Sequence, residues 1–436
     1  MHLGLPGRLI RFVSAPEPAT TAVADTAPRL PYQALIWLAV ALFSTGIDGY
    51  VLAGLLPSIA SDLQVSGAAA GQLVSVFALT SALAAPILGA ATSGWERRRT
   101  IACALAVFVA GNIVTAAAPA YGFAMAGRVI AALGGCLLGA AISGYVLHLT
   151  PLHQRGRALS FVLGGWMTAT ALGVPVGLVL GESSWRLPLI MVAAVGTIAL
   201  VGIVLKLPRL ELSPGTLAER LRPLRQPRLV AALLVRTGIL CASYTCFTYA
   251  VLILGPSFTA HWMIILIMFG YGLASLLGNS VTGRLADRFT PVRVLTVILI
   301  GLLLNSIFGA ITFATAPAGV IAALGLVWFF AAGIGNGGAA VPQQAHLAAM
   351  VPESAAIVLA LNGSATSLGS ALGGGLGGVV LTAGGSPARL LVAASVVLVL
   401  TLGLHGVVCA MSRRLRAIQL PTTQTTAARV SPPCGP

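Results

Sequence analysis

Asp48 lies near the middle of a long apolar stretch, Leu42 to Ile59, close to the start of the chain. No other Asp or Glu lies inside any of the long apolar stretches. At bilayer depth a carboxylate costs roughly 2.5–3.5 kcal/mol even on lenient insertion scales, so its retention indicates a use such as carrying a proton. The alternative is a structural carboxylate, neutralised by a nearby arginine or by its own proton.

Arg128 is the candidate partner of this carboxylate, because it too lies inside a long apolar stretch. At 1.5 Å per residue, Asp48 and Arg128 are both roughly 12–14 Å from the outer boundary of their stretches, so we expect them to meet. Burial favours the neutral form of Asp48, whereas a neighbouring guanidinium favours its charged form. Both a structural ion pair and a proton-coupling pair remain open.

The composition of the whole chain is that of a membrane protein. Of the 436 residues, 57% are hydrophobic and 8% are charged, which excludes an ordinary soluble domain. Crossing a bilayer takes roughly 20 mostly apolar residues. Twelve such stretches are predicted, at residues 33–57, 69–91, 100–118, 121–147, 158–181, 185–207, 229–254, 262–283, 291–314, 318–345, 355–382 and 387–411.

The net charge of +15 comes from basic residues in every second connection between these stretches. By the positive-inside rule this alternation predicts a multi-pass protein with both termini in the cytoplasm, and it argues against a nucleic-acid partner. Arg outnumbers Lys 24 to 1, which is typical of a GC-rich bacterial genome, so we expect the bacterial inner membrane. The six cysteines show no paired spacing, and no disulfide, metal site or cofactor is expected.

A polar segment divides the chain into two similar halves. Gly89 and Gly94 recur 189 residues later as Gly278 and Gly283, and duplicated halves around a midplane site are typical of secondary transporters. The predicted organisation is a disordered cytoplasmic tail at 1–31, an N-terminal six-helix half at 32–207, a cytoplasmic central loop at 208–228, a C-terminal six-helix half at 229–411 and a cytoplasmic tail at 412–436.

Two loops, one in each half, resemble the signature loop of the major facilitator superfamily, Gly-x-x-x-Asp-Arg-x-Gly-Arg-Arg. The second copy has Asp287 and Arg288 in the acidic and basic positions, whereas the first has Ser93 in place of the acid. Charged groups at helix ends can stabilise one conformation over another. The predicted conformational switch therefore comprises Gly89, Arg97, Arg98, Gly283, Asp287 and Arg288, although Arg97 and Arg98 could simply be positive-inside residues.

Three further segments narrow the resemblance. Gly173, Pro175 and Gly177 resemble the antiporter motif of the exporting branch, with Val174 inserted between Gly and Pro. The segment around Arg128 resembles that of the 12-span drug-proton antiporters, with Ala132 in place of the usual Gly, and the Gly-Leu-Leu-Pro run ending at Pro57 resembles their chloramphenicol-resistance and sugar-efflux branch. The resemblance covers about residues 33–411. It implies an all-α integral membrane protein with twelve transmembrane helices in two six-helix halves, the major facilitator fold.

A substrate cavity is predicted from aromatic and amide side chains within the spans. Flat molecules stack on aromatic rings, and amides supply hydrogen bonds, although most such residues in membrane spans only pack against neighbours or lipid. Since Asp48 is matched by Arg128, a cation is disfavoured and a neutral, moderately apolar substrate is expected. The candidates are Tyr50, Trp166, Tyr244, Phe247, Tyr271, Asn336 and Asn362.

The energy source is predicted to be an ion gradient. A phosphate-binding loop needs a Gly-Lys-Ser/Thr run, and the only lysine, Lys206, lies in Val-Leu-Lys-Leu-Pro. Enzyme motifs are not visible. The function predicted is proton-coupled efflux of a small antibiotic or drug, with chloramphenicol as the best specific candidate, by a monomer in membrane lipid. The alternative is an exporter or facilitator of sugars, nucleosides or other small metabolites.

Overall fold

The computed structural model describes residues 32–151, 154–210, 218, 221–258 and 261–419. The regular structure in these ranges is helical, and twelve helices are long and apolar enough to cross a membrane. The predicted fold class is confirmed. The helices are α1 Tyr32–Asp62, α2 Gly67–Ala91, α3 Arg97–Ala116, α4 Tyr121–Leu149, α5 Arg155–Ser183, α6 Arg186–Lys206, α7 Pro227–Phe247, α8 Trp262–Ala286, α9 Pro291–Thr315, α10 Gly319–Met350, α11 Ile357–Thr382 and α12 Pro387–Ser412.

Several helix ends differ from the apolar stretches. The helix of α12 continues to Gln419, beyond the predicted boundary at 411, and α10 runs to Met350 rather than 345. Polar and basic residues extend a helix past its membrane-embedded part at no cost, so hydropathy does not mark these ends. The predicted tail at 1–31, residues 211–217 and 219–220 of the central loop, and residues 420–436 lie outside the described residues, and the domain boundaries remain predictions.

Two of the membrane helices are irregular near their middle. In α5 a π-helical turn, Ala169–Gly173, separates two α-helical parts. Pro175 follows this turn and lacks the N–H that would bond four residues back. In α10 the helix is interrupted between Ala318–Gly338 and Ala340–Met350. Such interruptions in membrane helices are common near functional sites.

The helix packing repeats between the two halves. In the first half α1 packs against α5 and α6, and α3 packs against α4 and α6. Six helices later, α7 packs against α11 and α12, and α9 packs against α10 and α12. The α2–α4 pair likewise recurs as α8–α10. This repetition supports a duplicated architecture, with α1 and α7 in equivalent places.

The two halves contact each other through α2 with α11 and through α5 with α8. The Tyr249 hydroxyl, just after α7, donates a 2.8 Å hydrogen bond to the Gly374 carbonyl of α11. A Cβ atom at Gly71 would lie 2.5 Å from the Tyr249 ring, and one at Gly374 would meet the Ser75 hydroxyl of α2. These contacts lie near the start of α2 and the end of α11. The halves are therefore in contact at the end of the molecule opposite the start of α1 and the end of α12.

Candidate functional site

Asp48 and Arg128 form a buried ion pair between α1 and α4. The Arg128 Nη1 atom lies 2.7 Å from the Asp48 Oδ1 atom, and each residue is 1% exposed. The predicted contact between the two residues is present. The Asp48 Oδ2 atom is also buried, and it has no hydrogen-bond partner among the described residues. One carboxylate oxygen thus accepts from the guanidinium, and the other is available to a proton.

The guanidinium of Arg128 is held by α2 as well as by Asp48. Its Nε donates to the Leu73 carbonyl at 3.3 Å, and its Cζ lies 4.3 Å from the centroid of the Phe77 ring. A cation over an aromatic face gains electrostatic stabilisation, more so when both are desolvated. The pair therefore ties α1, α2 and α4 together, and a change in the charge of Asp48 would be felt by all three helices.

The predicted aromatic residues gather between α1, α7 and α8. Phe247 is at the centre of this aromatic cluster, with ring centroids 5.7 Å from Tyr50, 5.6 Å from Tyr244 and 4.9 Å from Tyr271. Phe329 of α10 stacks on Phe247 and lies 4.6 Å from Tyr271. Sequence reasoning missed Phe329, because nothing in its local pattern separates it from an ordinary packing residue.

The remaining predicted cavity residues lie around the cluster. The Asn336 Nδ2 atom donates to the Tyr271 hydroxyl at 3.0 Å. Trp166 of α5 is 38% exposed, and its side chain lies close to that of Tyr50. Asn362 of α11 is 5% exposed, and its Oδ1 atom has no partner among the described residues. All seven candidates thus lie on helices facing the interface between the halves or next to it.

A small cavity lies beside the aromatic cluster, inside the second half. Its volume is about 40 Å³, and its lining includes Phe247, Tyr271, Trp328 and Phe329. Pockets for drug-sized molecules have volumes of about 300–1,000 Å³. In this conformation the cavity is therefore too small for a substrate of that size.

Arg236 of α7 is a buried charged residue that the sequence reasoning missed. It is 8% exposed, and its Nε donates to the Thr366 hydroxyl of α11 at 3.0 Å. Its Nη1 atom is buried without a hydrogen-bond partner among the described residues. The signal was available, since Arg236 lies inside a predicted apolar stretch just as Arg128 does.

The predicted antiporter motif forms the surface of α5 that packs against α1. A Cβ atom at Gly173 would meet the Ile47 side chain, and one at Gly177 would lie 2.7 Å from Val51. Small residues allow this close approach of the helices. Ile47 directly precedes Asp48, so the motif sets the position of the helix that carries the buried carboxylate. Pro175 lies between the two glycines, just after the π-helical turn.

The first predicted switch loop bonds to the end of α6. The Arg98 Nη1 atom donates to the Leu207 carbonyl at 3.1 Å, and its Nε lies 3.4 Å from the Glu96 carboxylate. The backbone N–H of Arg97 donates to the Leu210 carbonyl at 2.8 Å. Gly89 is partly buried one turn before the end of α2. The arginines thus cap a helix C-terminus, where positive charge is stabilising.

The second predicted switch loop shows fewer contacts. The Arg288 guanidinium lies 5.9 Å from the ring of the adjacent Phe289, and Gly283 has open space around its Cα. The Asp287 side chain lies outside the described residues. Its role as a conformational contact stays a prediction.

At the opposite end of the first half, Asp62 joins α1 to α6. Its Oδ2 atom accepts from Arg186 Nη1 at 2.7 Å and from Trp185 Nε1 at 3.0 Å. Arg186 also donates to the Ala118 carbonyl after α3. Asp62 is thus a helix-end residue held by a tethering network, chemically distinct from the buried Asp48. Among the described residues, no group of three or more potential metal ligands comes together.

Comparison with known proteins agrees with this arrangement. The chain matches the sequence model of the Major Facilitator Superfamily over residues 38–263 and 237–425, which together span both halves. The chain belongs to the Major Facilitator Superfamily, a family of transporters, and the superfamily resemblance predicted from the loops is confirmed.

Individual relatives are similar over most of the chain. The uncharacterized MFS-type transporter YbcL of Bacillus subtilis is 30% identical over 78% of this chain and 87% of that protein. The chloramphenicol resistance protein of Streptomyces lividans is 34% identical over 60% of this chain and 69% of that protein. A bacterial homologue of the lysosomal transporter Spinster, solved in an inward-facing conformation, shares the fold, with a TM-score of 0.69 at 17% identity over 88% of this chain and 97% of that one.

Proposed function

We propose that this protein exports a small drug or antibiotic from the bacterial cytoplasm across the inner membrane in exchange for protons. The observation that carries the proposal is the buried Asp48–Arg128 pair with the unpartnered Oδ2 atom of Asp48. The proposed orientation in the membrane places both termini in the cytoplasm, and the functional form proposed is the monomer. The end at which the halves are in contact then faces outward.

The pair couples proton binding to conformation in the following way. A proton on Oδ2 neutralises Asp48 and weakens its attraction for Arg128, which remains held by Leu73 and Phe77 of α2. A transporter with two conformations shifts toward the one that binds the proton better. Loading from outside and release to the cytoplasm would move one positive charge inward. Such a movement supplies about 2.3 kcal/mol per 100 mV, enough for a gradient of roughly fortyfold.

The substrate proposed is a neutral or acceptor-rich aromatic molecule, with chloramphenicol as the best specific candidate. Three charged side chains are buried among the described residues, and two of them, Arg128 and Arg236, are guanidiniums. This balance disfavours cations. The aromatic cluster around Phe247 offers ring faces for stacking. The similarity to a chloramphenicol resistance protein supports the same choice.

The switch residues are proposed to act through helix ends. Arg98 bonds to the last carbonyls of α6, so movement of the central loop that follows α6 would be transmitted to α3. In the second half, Asp287 and Arg288 are proposed to act in the equivalent place, with Gly89 and Gly283 allowing the loops to approach neighbouring helices.

The test is uphill transport in inverted membrane vesicles with an imposed pH gradient. Asp48→Asn should abolish accumulation of chloramphenicol while leaving exchange down its own gradient intact. Asp62→Asn is the matched control on the same helix, because Asp62 lies at the helix end and should leave uphill transport unchanged. Full proton-driven accumulation by Asp48→Asn would refute the coupling role.

A susceptibility panel in an efflux-deficient host tests the substrate. Expression should raise the inhibitory concentration of chloramphenicol more than that of ethidium. The reverse order would refute the charge argument. Uptake of a sugar or nucleoside without drug efflux would instead support the metabolite alternative.

A further inference from the structure

Arg236 is the buried charge for which proton coupling offers no use. Among the described residues its Nη1 atom has no hydrogen-bond partner, and its Nε donates only to the neutral hydroxyl of Thr366. The described ion pairs involve other residues, so no described carboxylate lies within 4.0 Å of this guanidinium. A buried charge without a counterion is strongly unfavourable. Its retention indicates a ligand that supplies the missing hydrogen-bond or ion-pair partner.

The surroundings of Arg236 form a continuous polar strip between α7 and α11. On α7, Arg236 and Tyr244 are eight residues apart and share a face. On α11, Asn362, Thr366 and Ser370 follow at intervals of four, with Thr366 bonded to the Asn362 carbonyl and Ser370 bonded to the Thr366 carbonyl. Ser370 also lies close to the Tyr244 hydroxyl. We call these five residues the α7–α11 strip.

The strip contains one unmet donor and one unmet acceptor. Arg236 Nη1 can donate, and Asn362 Oδ1 can accept, and neither atom has a partner among the described residues. Buried polar atoms in native proteins are almost always bonded. The two unmet atoms therefore define complementary requirements for a ligand: an electron-rich oxygen group beside Arg236 and a hydroxyl or N–H group beside Asn362.

The strip faces the interface between the halves. Tyr50 of α1 lies near Arg236, and its ring packs at right angles to that of Phe247 with the centroids 5.7 Å apart. Tyr50 and Tyr244 are only partly buried. A ligand at Arg236 would thus lie beside aromatic rings contributed by both halves, where a transported molecule must pass.

We propose that Arg236 binds a planar two-oxygen group, a carboxylate or a nitro group, attached to the aromatic ring system of the transported molecule. The planar fork of a guanidinium matches two oxygens held in one plane, which an ammonium ion does not. The ring packs on Tyr50 and Tyr244, and a hydroxyl or amide N–H donates to Asn362. This inference rests on the proposed export function for the statement that the ligand is a substrate, and it names the chemical group that the site selects.

The experiment measures binding to the full-length protein in lipid nanodiscs by equilibrium dialysis, without any gradient. Two matched probe pairs separate charge from shape. One is naphthalene-2-carboxylate with 2-naphthylmethanol, and the other is chloramphenicol with the analogue whose nitro group is an amine. In at least one pair the wild-type protein should bind the member with the two-oxygen group at least tenfold more tightly than the member without it. A preference confined to the first pair identifies the carboxylate as the group selected, and one confined to the second identifies the nitro group.

The variants assign the preference to the strip. Arg236→Gln should reduce it to less than twofold, and so should Asn362→Asp, which places an internal carboxylate one turn from Thr366. Arg389→Gln, at an exposed arginine near the start of α12, is the matched control and should retain the preference. If Arg236→Gln does not fold, Asn362→Asp decides. Equal binding of both members in both pairs, or a preference that survives in the strip variants, would overturn the inference.

The result is separable from that for the proposed function. An Arg236-dependent preference together with absence of uphill drug transport supports the two-oxygen site and removes proton-coupled drug export. Uphill transport that depends on Asp48, with no preference in either pair, supports the export function and removes the two-oxygen site.

Discussion

Among the described residues each half of the molecule buries one guanidinium, and the two guanidiniums differ in their bonding partners. Arg128 in the first half has a carboxylate at 2.7 Å, a backbone carbonyl and an aromatic face. Within the described part of the chain, Arg236 in the second half has a single hydroxyl as partner and one nitrogen without a partner. A guanidinium whose hydrogen-bond and ion-pair partners come from the protein itself suits proton coupling. A guanidinium that lacks such partners suits reversible binding of a ligand.

The duplication makes this difference informative. Asp48 lies on α1 and Arg236 lies on α7, the first helix of each half. The helix pairings of α1 recur around α7. Equivalent helices therefore carry a buried negative charge in the first half and a buried positive charge in the second. The two proposals divide the work accordingly, with the proton in the first half and the substrate in the second.

The largest expected effect is a difference in stability between variants at the two buried arginines. Arg128→Gln leaves the Asp48 carboxylate buried without its counterion and should destabilise the protein by about 3–5 kcal/mol. Arg236→Gln removes a charge that has no counterion and should change stability by less than about 1 kcal/mol, or increase it. Thermal unfolding in detergent checks both. Equal losses for the two variants would mean that Arg236 has an internal partner comparable to Asp48.

A second prediction concerns the contact that joins the halves. Gly374→Leu places a side chain against Ser75 of α2 and should keep that end from closing, lowering turnover at least tenfold while the protein still folds. Gly375 is the matched control, because open space surrounds its Cα and Gly375→Leu should be active. Transport assays and cysteine accessibility at the α2–α11 contact measure the effect. Normal turnover by Gly374→Leu would show that closure there is not required.

The smallest expected effect is a difference in stability between variants in the two switch loops. Arg98→Gln removes a hydrogen bond to the end of α6 and should cost about 1 kcal/mol, whereas Arg288→Gln removes only a contact with its neighbour Phe289 and should cost less than about 0.5 kcal/mol. Unfolding midpoints of the two variants, measured side by side, test this. A larger loss for Arg288→Gln would indicate that the second loop is the more tightly held.

The fold and the contact between Asp48 and Arg128 were accessible from the sequence because both depend on depth in the membrane. Apolar length predicts twelve spans, and equal depth brings Asp48 to Arg128. The sequence motif has one extra residue at Val174, and the structure has a π-helical turn directly before it in α5. A π turn holds one more residue than an α turn, so it accommodates the insertion.

Other features depend on which helix faces overlap, and sequence periodicity does not specify that. The partner of Arg236 is Thr366, 130 residues away on α11. The Arg98 bond to α6 uses a backbone carbonyl, which every residue possesses, so no sequence pattern marks it. The aromatic cluster draws on four helices, and Phe329 entered it only through the packing of α10 on α8.

The most direct test of the division between proton and substrate is one transport measurement on two variants. In proteoliposomes, an Asp48→Asn protein and an Arg236→Gln protein are compared for uphill accumulation driven by a pH gradient and for exchange of chloramphenicol without a gradient. Asp48→Asn should lose accumulation and keep exchange, and Arg236→Gln should lose both by about tenfold or more. Loss of exchange in Asp48→Asn together with normal exchange in Arg236→Gln would contradict the account.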